Sequence, residues 1–324
     1  MNKKALVVGI NYYEQNSLNS CVKDARSIAE MLEYNQDNTR NFDVNLCVAC
    51  DAKSKITTRD LKDEINQLYL QNSCDIALLY FSGHGAMTDT GGYLCTSNGQ
   101  QRDDGVSLDE IAKIVSKSKA HNNIIILDCC HSGSVGDNLF FGNNSIISEN
   151  TTYLTACTNS QYAIEDDGGV FTNLLLDGLD GGSSNIIGEI SPASLYSHID
   201  RSLGTWEQRP VFKTNTQSFV CVRKVNPQIE LSELRQIKEL FPSKDGELEL
   251  DPTFEPDCKN QSNGKYEPDL NKMKKFALLQ KMVQLNLVEP VGEQHMFYAA
   301  MNNKSCKLKP LGKHYWNLAS KNRF

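Results

Sequence analysis

The stretch Asp75-Ile-Ala-Leu-Leu-Tyr-Phe-Ser-Gly-His-Gly85 decides the fold. The segment Asp75–Phe81 is a short apolar run, typical of a strand that is buried on both faces of a sheet. Polar and glycine residues follow at once, and they place His84 between two glycines. In open parallel sheets, functional sites lie at the carboxyl ends of the strands. The sequence therefore predicts chemistry in the loop Ser82–Ala86.

A second stretch of the same design is Leu127-Asp-Cys-Cys-His-Ser-Gly133, which follows a predicted strand at Asn123–Asp128. A cysteine and a histidine at neighbouring strand ends form a nucleophile–base pair, in which the thiolate attacks an acyl carbon. Adjacent backbone N–H groups can stabilise the oxyanion by about 3–4 kcal/mol per donor. Alone, the pair indicates only a cysteine hydrolase. The alternative is a structural role, since a single histidine or cysteine in such a place is often structural.

Strand-like and helix-like segments alternate around these two motifs. Further strands are predicted at Leu6–Ile10, Asn41–Val48 and Thr152–Ala156. Helices are predicted at Ser20–Tyr34, Thr57–Leu70, Ser107 to Val115 (opened by a capping box at Ser107–Glu110), Phe171–Leu179, and Pro192–Leu203 with Ser191 as its cap. This alternation predicts an α/β fold with a mainly parallel sheet flanked by helices.

The pattern changes beyond Val222. We predict one amphipathic helix, an irregular polar segment, a second helix and two short strands, at Ile229–Phe241, Pro242–Gly264, Asn271–Leu287, Met296–Met301 and Cys306–Leu308. A helix followed by a hairpin resembles a winged-helix domain. The expected organisation is a large first domain, a helix with an irregular acidic linker, and a small α+β winged-helix-like basic domain, at residues 1–222, 223–265 and 266–324.

The charge of the chain is uneven. The net charge is −7 over 324 residues, but residues 264–324 contain 11 Lys and Arg against 4 Asp and Glu. A basic winged helix favours two alternatives, docking of a regulatory protein (or of the chain's own acidic body) and binding of nucleic acid. Arginine, which base recognition favours, occurs in this segment only as Arg323.

Composition points to a soluble cytoplasmic protein without a membrane span. No apolar run approaches the roughly 20 residues that cross a bilayer. The apolar stretch near the N-terminus is broken at Asn11, which argues against a secretory signal. The 11 cysteines are scattered and odd in number, a pattern typical of reduced thiols.

The two motifs together resemble the signature of caspase-like cysteine peptidases of the metacaspase or orthocaspase type. The resemblance covers about residues 3–222, including Gly168–Leu179, and His84 precedes Cys130 by 46 residues, close to the roughly 50 of caspases. It implies a caspase-like fold, peptide-bond hydrolysis, Cys130 as nucleophile and His84 as base. The backbone N–H groups of Gly85 and Cys130 would bind the oxyanion, Cys129 would be a buried thiol, and His131 would be structural.

The resemblance also implies cleavage after Arg or Lys. Caspases that cut after Asp have Gln two positions before the nucleophile, whereas this chain has Asp128. A carboxylate in the S1 pocket repels an acidic P1 side chain and pairs with a basic one. In metacaspases a Cys-x-x-Asp motif and a serine complete the pocket, and Cys21, Asp24 and Ser82 match them here. The alternative for Asp24 is a solvated carboxylate in the first turn of a helix.

No Lys or Arg lies between Lys119 and Arg201. The cut that activates many caspases would fall at about Ser134–Thr151, where a protease specific for basic residues cannot cut itself. We therefore expect a regulated single-chain effector, in defence or cell death. A basic-specific cut could still fall at Lys244, Lys259 or Lys265 and release the tail. The alternatives are a catalytically weak scaffold and a nucleic-acid-binding regulator.

No cofactor or metal is expected. Metacaspases are frequently calcium-dependent, and two acidic clusters, Asp103-Asp104 and Glu165-Asp166-Asp167, are the candidates for a hard cation. They lack the spacing of a defined calcium-binding loop, so acidic turns are the preferred interpretation.

Overall fold

The computed structural model describes residues 2–71, 73–88, 91–98, 105–131, 147–156, 169–204 and 210–324, without the side chains of residues 87, 88, 130 and 131. The chain forms two compact units, Met1–Asn226 and Pro227–Phe324. None of the helices in these described ranges has the length and apolar character needed to cross a bilayer.

Unit 1 is built on a central sheet. The strands of unit 1 as a whole are β1 Lys3–Ile10, β2 Asp43–Ala49, β3 Ile76–Thr88, β4 Gly91–Cys95, β5 Gly105–Ser107, β6 Asn122–His131, β7 Thr151–Thr155, β8 Glu189–Ile190, β9 Val211–Asn215 and β10 Arg223–Lys224. Its helices are α1 Cys21–Glu33, α2 Thr58–Asn66, α3 Leu108–Val115, α4 Val170–Asp177 and α5 Pro192–Ser202. The central order is β2-β1-β3-β6-β7-β9, parallel except for β9. The predicted α/β fold is confirmed.

Both faces of this sheet are covered by helices. Alternate residues of β3 and β6 point to opposite faces, as the pleat requires. On one face Leu78, Tyr80 and Ile126 pack with apolar residues of α1, α4 and α5. On the other face Phe81 and Leu127 pack with residues of α2 and α3. Burial on both faces explains why these strands have continuous apolar sequences.

Strand β3 continues past its predicted end. It runs through Ser82–Ala86 to Thr88, and its last residues pair antiparallel with β4. The prediction of a loop at Ser82–Ala86 is therefore wrong. The two glycines suggested a turn, but β6 and β4 supply hydrogen-bond partners for an extended backbone. The capping box at Ser107 is also wrong, since its side chain makes no cap hydrogen bond. The Ser191 cap of α5 is confirmed, with Ser191 Oγ accepting from the Ser194 N–H.

Unit 2 is a three-stranded antiparallel sheet with helices. Its helices are α6 Leu231–Arg235, α7 Ile237–Leu240, α8 Cys258–Gln261, α9 Leu270–Gln284, α10 Met296–Met301 and α11 Pro310–Ser320. Its strands are β11 Glu247–Glu249, β12 Val288–Val291 and β13 Ser305–Leu308, in the order β11-β13-β12. The Trp316 indole N–H donates to Phe241 O at 2.7 Å and joins α11 to the end of α7.

Several predictions for this unit need correction. The predicted helix at Ile229–Phe241 is two short helices divided at Gln236, and the supposedly irregular segment Pro242–Gly264 contributes β11 to the sheet. The predicted strand at Met296–Met301 is a helix, because Met296, Ala299 and Ala300 are buried at helical spacing. A helix therefore separates β12 from β13, and the direct hairpin that suggested a winged helix is absent. A cut after Lys244 would divide unit 2 rather than release a tail.

The basic character of the tail is balanced inside unit 2. Residues 227–324 contain 15 Lys and Arg and 13 Asp and Glu. Lysines of the tail pair with carboxylates of the segment predicted as a linker, namely Lys272 with Asp251 at 2.5 Å, Lys281 with Glu233 at 2.5 Å and Lys313 with Asp245 at 2.7 Å. The charge argument for nucleic-acid binding applied to residues 264–324 alone and does not hold for the folded unit.

A buried polar network closes unit 1. Lys3 Nζ donates to Asn41 Oδ1 at 2.8 Å and to the carbonyl of Cys221 at 2.9 Å. Asn41 Nδ2 donates to the carbonyls of Leu32 and Val222. Burial lowers the pKa of Lys3. The network joins the first strand to the segment before β10, which is more than 200 residues away in sequence.

We expect Asn41→Ala to destabilise unit 1 by about 1–3 kcal/mol, because it removes three buried hydrogen bonds, one of them from the Lys3 ammonium. Asn45→Ala is the matched control, since it removes one exposed hydrogen bond to Glu64, and should change stability by less than about 0.5 kcal/mol. Urea unfolding measures both, and equal effects would contradict a structural role for the network.

Candidate active site

Strands β3 and β6 bring the predicted catalytic residues together. Their parallel register pairs His84 with Cys130 and Ser82 with Asp128. Neighbouring strands lie about 4.8 Å apart, so the two backbones are adjacent at both levels. The side chain of Cys130 lies outside the described part of the structure. The two strands thus place the catalytic candidates side by side, and they place the S1 candidates Ser82 and Asp128 side by side two residues earlier.

The ring of His84 is held in one tautomer. Its Nε2 lies 2.7 Å from the carbonyl oxygen of Asn16. Because a carbonyl oxygen only accepts, Nε2 carries the proton, and Nδ1 of the neutral ring carries the lone pair. Nδ1 is buried and has no hydrogen-bond partner among the described residues. This is the arrangement of a base whose acceptor atom is kept available.

Tyr13 holds the backbone of His84. The Tyr13 hydroxyl accepts from the His84 N–H at 2.8 Å, and the two rings lie 4.6 Å apart at 53°. Burial raises the pKa of Tyr13 well above 10, against the opposing effect of the His84 N–H. A Cβ at Gly83 would lie only 2.5 Å from the Tyr13 hydroxyl. Glycine is therefore required at position 83 to admit the tyrosine.

The loop that carries Tyr13 and Asn16 is anchored by Asn11. Asn11 Oδ1 accepts from the Val22 N–H at the start of α1, and its Nδ2 donates to the Asn19 carbonyl. Asn16 has φ +59°, a left-handed conformation that asparagine adopts more readily than most residues. Neither Tyr13 nor Asn16 is predicted from the sequence. The only available signal is the glycine at position 83, and a glycine does not indicate which side chain packs against it.

Two buried carboxylates lie at the S1 candidate position. Asp128 is 8% exposed and Asp24 is 4% exposed. Burial raises the pKa of Asp128 to about 6, the hydrogen bond from Thr172 opposes this shift, and the charge of Asp24 adds to it. Burial also raises the pKa of Asp24, with the Gly169 N–H opposing. The alternative of a solvated Asp24 is therefore wrong.

The remaining S1 candidates are buried as well. Ser82 is buried beside Asp128, its register partner. Cys21 is the first residue of α1, one turn before Asp24, and is also buried. The structure brings Ser82, Asp24 and Asp128 into one polar cluster and places Cys21 at its edge, on the same helix as Asp24.

Helix α4 adds residues that the sequence analysis missed. Thr172 Oγ1 donates to Asp128 Oδ2 at 2.5 Å, and it lies 2.7 Å from the Tyr80 hydroxyl. The helix begins beside the carboxylates, and the positive end of its dipole favours their ionised forms. A Cβ at Gly169 would lie 3.1 Å from Asp128 Oδ2. The resemblance covered this helix, but periodicity alone assigns Thr172 only to a buried face.

The other predicted residues occupy the same region or lie outside it. Gly85 is buried on β3 between β4 and β6, and Cys130 is the penultimate residue of β6. Cys129 is buried in the apolar core, as predicted. The acidic clusters at 103–104 and 165–167 and the side chain of His131 lie outside the described residues. Within the described ranges, no group of three or more His, Cys, Asp or Glu side chains could hold a metal ion.

Comparison with known proteins agrees with this architecture. The sequence model of the caspase domain matches residues 2–236. Protein GSU0716 from Geobacter sulfurreducens is 20% identical with a TM-score of 0.51, over 70% of this chain and 98% of its own. The structure of pro-sf-caspase-1 is 9% identical with a TM-score of 0.46, over 69% and 91%. No curated protein matches the chain. Because the family match spans well over half of the chain and both site strands, the protein belongs to the caspase family of peptidases.

Proposed function

We propose that the protein is a cysteine endopeptidase of the metacaspase type that cleaves after Arg or Lys, with Cys130 as nucleophile and His84 as base. The observation that carries the proposal is the in-register pairing of these residues, together with the buried Nδ1 of His84, which has no hydrogen-bond partner in the described part of the chain. A scaffold without activity would have no need of a histidine fixed in the tautomer of a base. Membership of the caspase family supports the same conclusion.

Acylation starts with transfer of the Cys130 thiol proton to His84 Nδ1. The sulfur then forms a bond with the carbonyl carbon of the substrate, and the carbonyl electron pair moves to the oxygen. The backbone N–H groups of Gly85 and Cys130 stabilise this oxyanion. When the intermediate collapses, the C–N bond breaks and His84 returns the proton to the leaving amine. The Asn16 carbonyl stabilises the imidazolium that exists between these steps.

Deacylation reverses these roles. A water molecule replaces the departed amine and gives a proton to His84 Nδ1 while its oxygen attacks the thioester carbon. The C–S bond breaks, the new carboxyl terminus leaves, and the proton returns to Cys130. In each half of the reaction His84 first accepts a proton and then donates it. The contacts with Tyr13 and Asn16 keep the ring in one orientation, which suits both steps.

Specificity for a basic P1 side chain is supported by the buried acids. Asp24 and Asp128 place up to two negative charges below the catalytic level, and no lysine or arginine forms an ion pair with either of them among the described residues. Buried charges are normally paired. A substrate guanidinium or ammonium group would provide the missing partner, whereas an acidic P1 side chain would add a further negative charge.

For unit 2 we favour docking of a protein over binding of nucleic acid. Its charge is nearly balanced, and Lys272, Lys281 and Lys313 are paired with carboxylates of the same unit, which weakens the net attraction for phosphates. A regulatory protein is the preferred partner.

The central test is the P1 profile. We expect hydrolysis of fluorogenic peptides with Arg or Lys at P1 and none with Asp. Cys130→Ala should lower the rate by at least about 10³-fold, because it removes the nucleophile. Cys129→Ala is the matched control, since that thiol is a core residue, and it should keep most of the activity. Preference for Asp, or an active Cys130→Ala variant, would refute the proposal.

The S1 acid should have opposite effects on activity and stability. We expect Asp128→Asn to lower kcat/KM for Arg substrates by at least about 30-fold, since a buried ion pair loses one partner. At pH 8 the same variant should raise the free energy of unfolding by about 1–3 kcal/mol, because the pKa of Asp128 is about 6 when folded and about 4 when unfolded.

The pH dependence fixes the sign of this stability effect. A raised folded pKa means that the contribution of Asp128 to stability is fully present below pH 4 and is lost as the pH rises through 6. The gain from Asp128→Asn should therefore shrink as the pH falls from 8 to 4. Denaturant unfolding across this range measures it, with the exposed Asp63→Asn as control. A gain that does not depend on pH would contradict a buried, ionised Asp128.

The catalytic unit should work as one uncut chain. Because no Lys or Arg lies between Lys119 and Arg201, a basic-specific enzyme cannot cut itself at about Ser134–Thr151. We expect active protein to run intact through this region on a denaturing gel after prolonged incubation. An active preparation consisting of fragments that end inside this window would contradict the prediction.

A further inference from the structure

We propose that Thr172, supported by Tyr80, is a positioning residue that holds Asp128 as a carboxylate and so sets the selectivity of the S1 site for a cationic side chain. This inference rests on the proposed function. Thr172 and Tyr80 lie outside the catalytic pair and outside the four S1 candidates that the sequence suggested.

The hydrogen bonds run in one direction along a chain of hydroxyl groups. A carboxylate only accepts, so the single hydroxyl proton of Thr172 is donated to Asp128 Oδ2, at 2.5 Å. The Tyr80 hydroxyl, 2.7 Å from Thr172 Oγ1, must then be the donor in that contact. The hydroxyl protons of both Thr172 and Tyr80 are thus directed along the series toward Asp128.

This alignment favours an ionised Asp128. A proton on Asp128 Oδ2 would make that oxygen a donor toward Thr172 Oγ1, whose own proton would then have to turn away toward Tyr80. A proton on Oδ1 would leave the contact in place, but the hydrogen bond from Thr172 would then go to a neutral acceptor and be weaker. All of these groups are buried, so a mismatched donor cannot turn to water, and the aligned arrangement favours the carboxylate.

The other described side chains around Asp128 oppose its ionisation or have no effect on it. Helix α1 contributes Asp24, whose charge raises the pKa of Asp128 after the larger effect of burial, while Lys23 acts on Asp24 from the same helix. Strand β3 contributes Tyr80, which burial keeps protonated. Helix α4 contributes Thr172 and the Gly169 N–H, and the latter is used by Asp24. Thr172 is therefore the side chain that opposes burial at Asp128.

The consequence for specificity follows from the charge state. An ionised Asp128 attracts a guanidinium or ammonium group, whereas a neutral Asp128 offers a hydroxyl donor and an acceptor that suit an uncharged side chain equally well. Without the Thr172 hydroxyl, the carboxylate should be formed only at higher pH. The chemistry at Cys130 and His84 would be unaffected, because neither residue belongs to the series.

The test compares two substrates that differ only in charge. The ratio of kcat/KM for Arg to that for its neutral isostere citrulline at P1 is measured from pH 5 to pH 9. Ionisation of the catalytic pair affects both substrates and cancels in the ratio. We expect Thr172→Val to move the rise of this ratio upward by about one to two pH units, the size expected for loss of a hydrogen bond to a charged group.

Rescue and control variants separate positioning from simple packing. Thr172→Ser keeps the hydroxyl and should restore the wild-type ratio profile, and Tyr80→Phe should give a smaller shift in the same direction. Thr152→Val removes another buried threonine hydroxyl, bonded to Thr214 at 2.8 Å, and should leave the profile unchanged. An identical profile for wild type and Thr172→Val, or a shifted one for Thr172→Ser, would overturn the inference.

A measurement without turnover distinguishes this inference from the proposed function. In the full-length Cys130→Ala protein, selective ¹³C labelling of aspartate carboxyl groups gives the titration of Asp128, assigned by its loss in Asp128→Asn. Thr172→Val should raise that pKa by about one to two units. An unmoved titration overturns the role of Thr172 even if the protein is an active protease. If Thr172→Val moves the titration but the protein that retains Cys130 cleaves neither substrate, the proposed function is refuted instead.

Discussion

The parallel register of β3 with β6 is the constraint on which the rest of the site depends. It places His84 beside Cys130 and, two residues earlier, Ser82 beside Asp128. Because residues two apart on a strand share a face, one pairing fixes both the level of the chemistry and the level of substrate recognition. A shift of the register by one residue would separate both pairs at once. The helices that bury the two faces of this sheet would therefore support the proposed catalysis by preventing such a shift, although none of them carries the proposed nucleophile or base.

In the proposed function, recognition depends on buried acids that form no ion pair with a lysine or arginine in the described part of the chain. Asp24 and Asp128 lose hydration when the protein folds, which raises both pKa values, and a basic substrate side chain would recover part of this free energy. The protein offsets part of this cost with a backbone N–H from Gly169, the hydroxyl of Thr172 and the positive end of α4. Stability and specificity are thus opposed at the same atoms, a common property of functional sites.

The sequence predicted what depends on local pattern and motif. Continuous apolar runs predicted the buried strands, and the two motifs at their ends predicted a site there. It could not predict contacts made across long separations in the chain. Tyr13 meets His84 across 71 residues and Thr172 meets Asp128 across 44, and no periodicity encodes either contact. In unit 2, Met296–Met301 was assigned to the wrong element because six apolar residues fit a strand and a helix equally well, and only burial at helical spacing decides between them.

The partner of His84 Nε2 is a peptide oxygen, and this determines which mutations the site tolerates. A replacement at position 16 changes a side chain and leaves the accepting atom in the chain, provided that the new residue can adopt the left-handed backbone of Asn16. Deletion or insertion of a residue between Asn11 and Asn19 would move that oxygen while leaving every recognisable motif intact. The position of the proposed base is therefore more sensitive to the length of this loop than to its composition, and such a change would leave the signature residues unaltered.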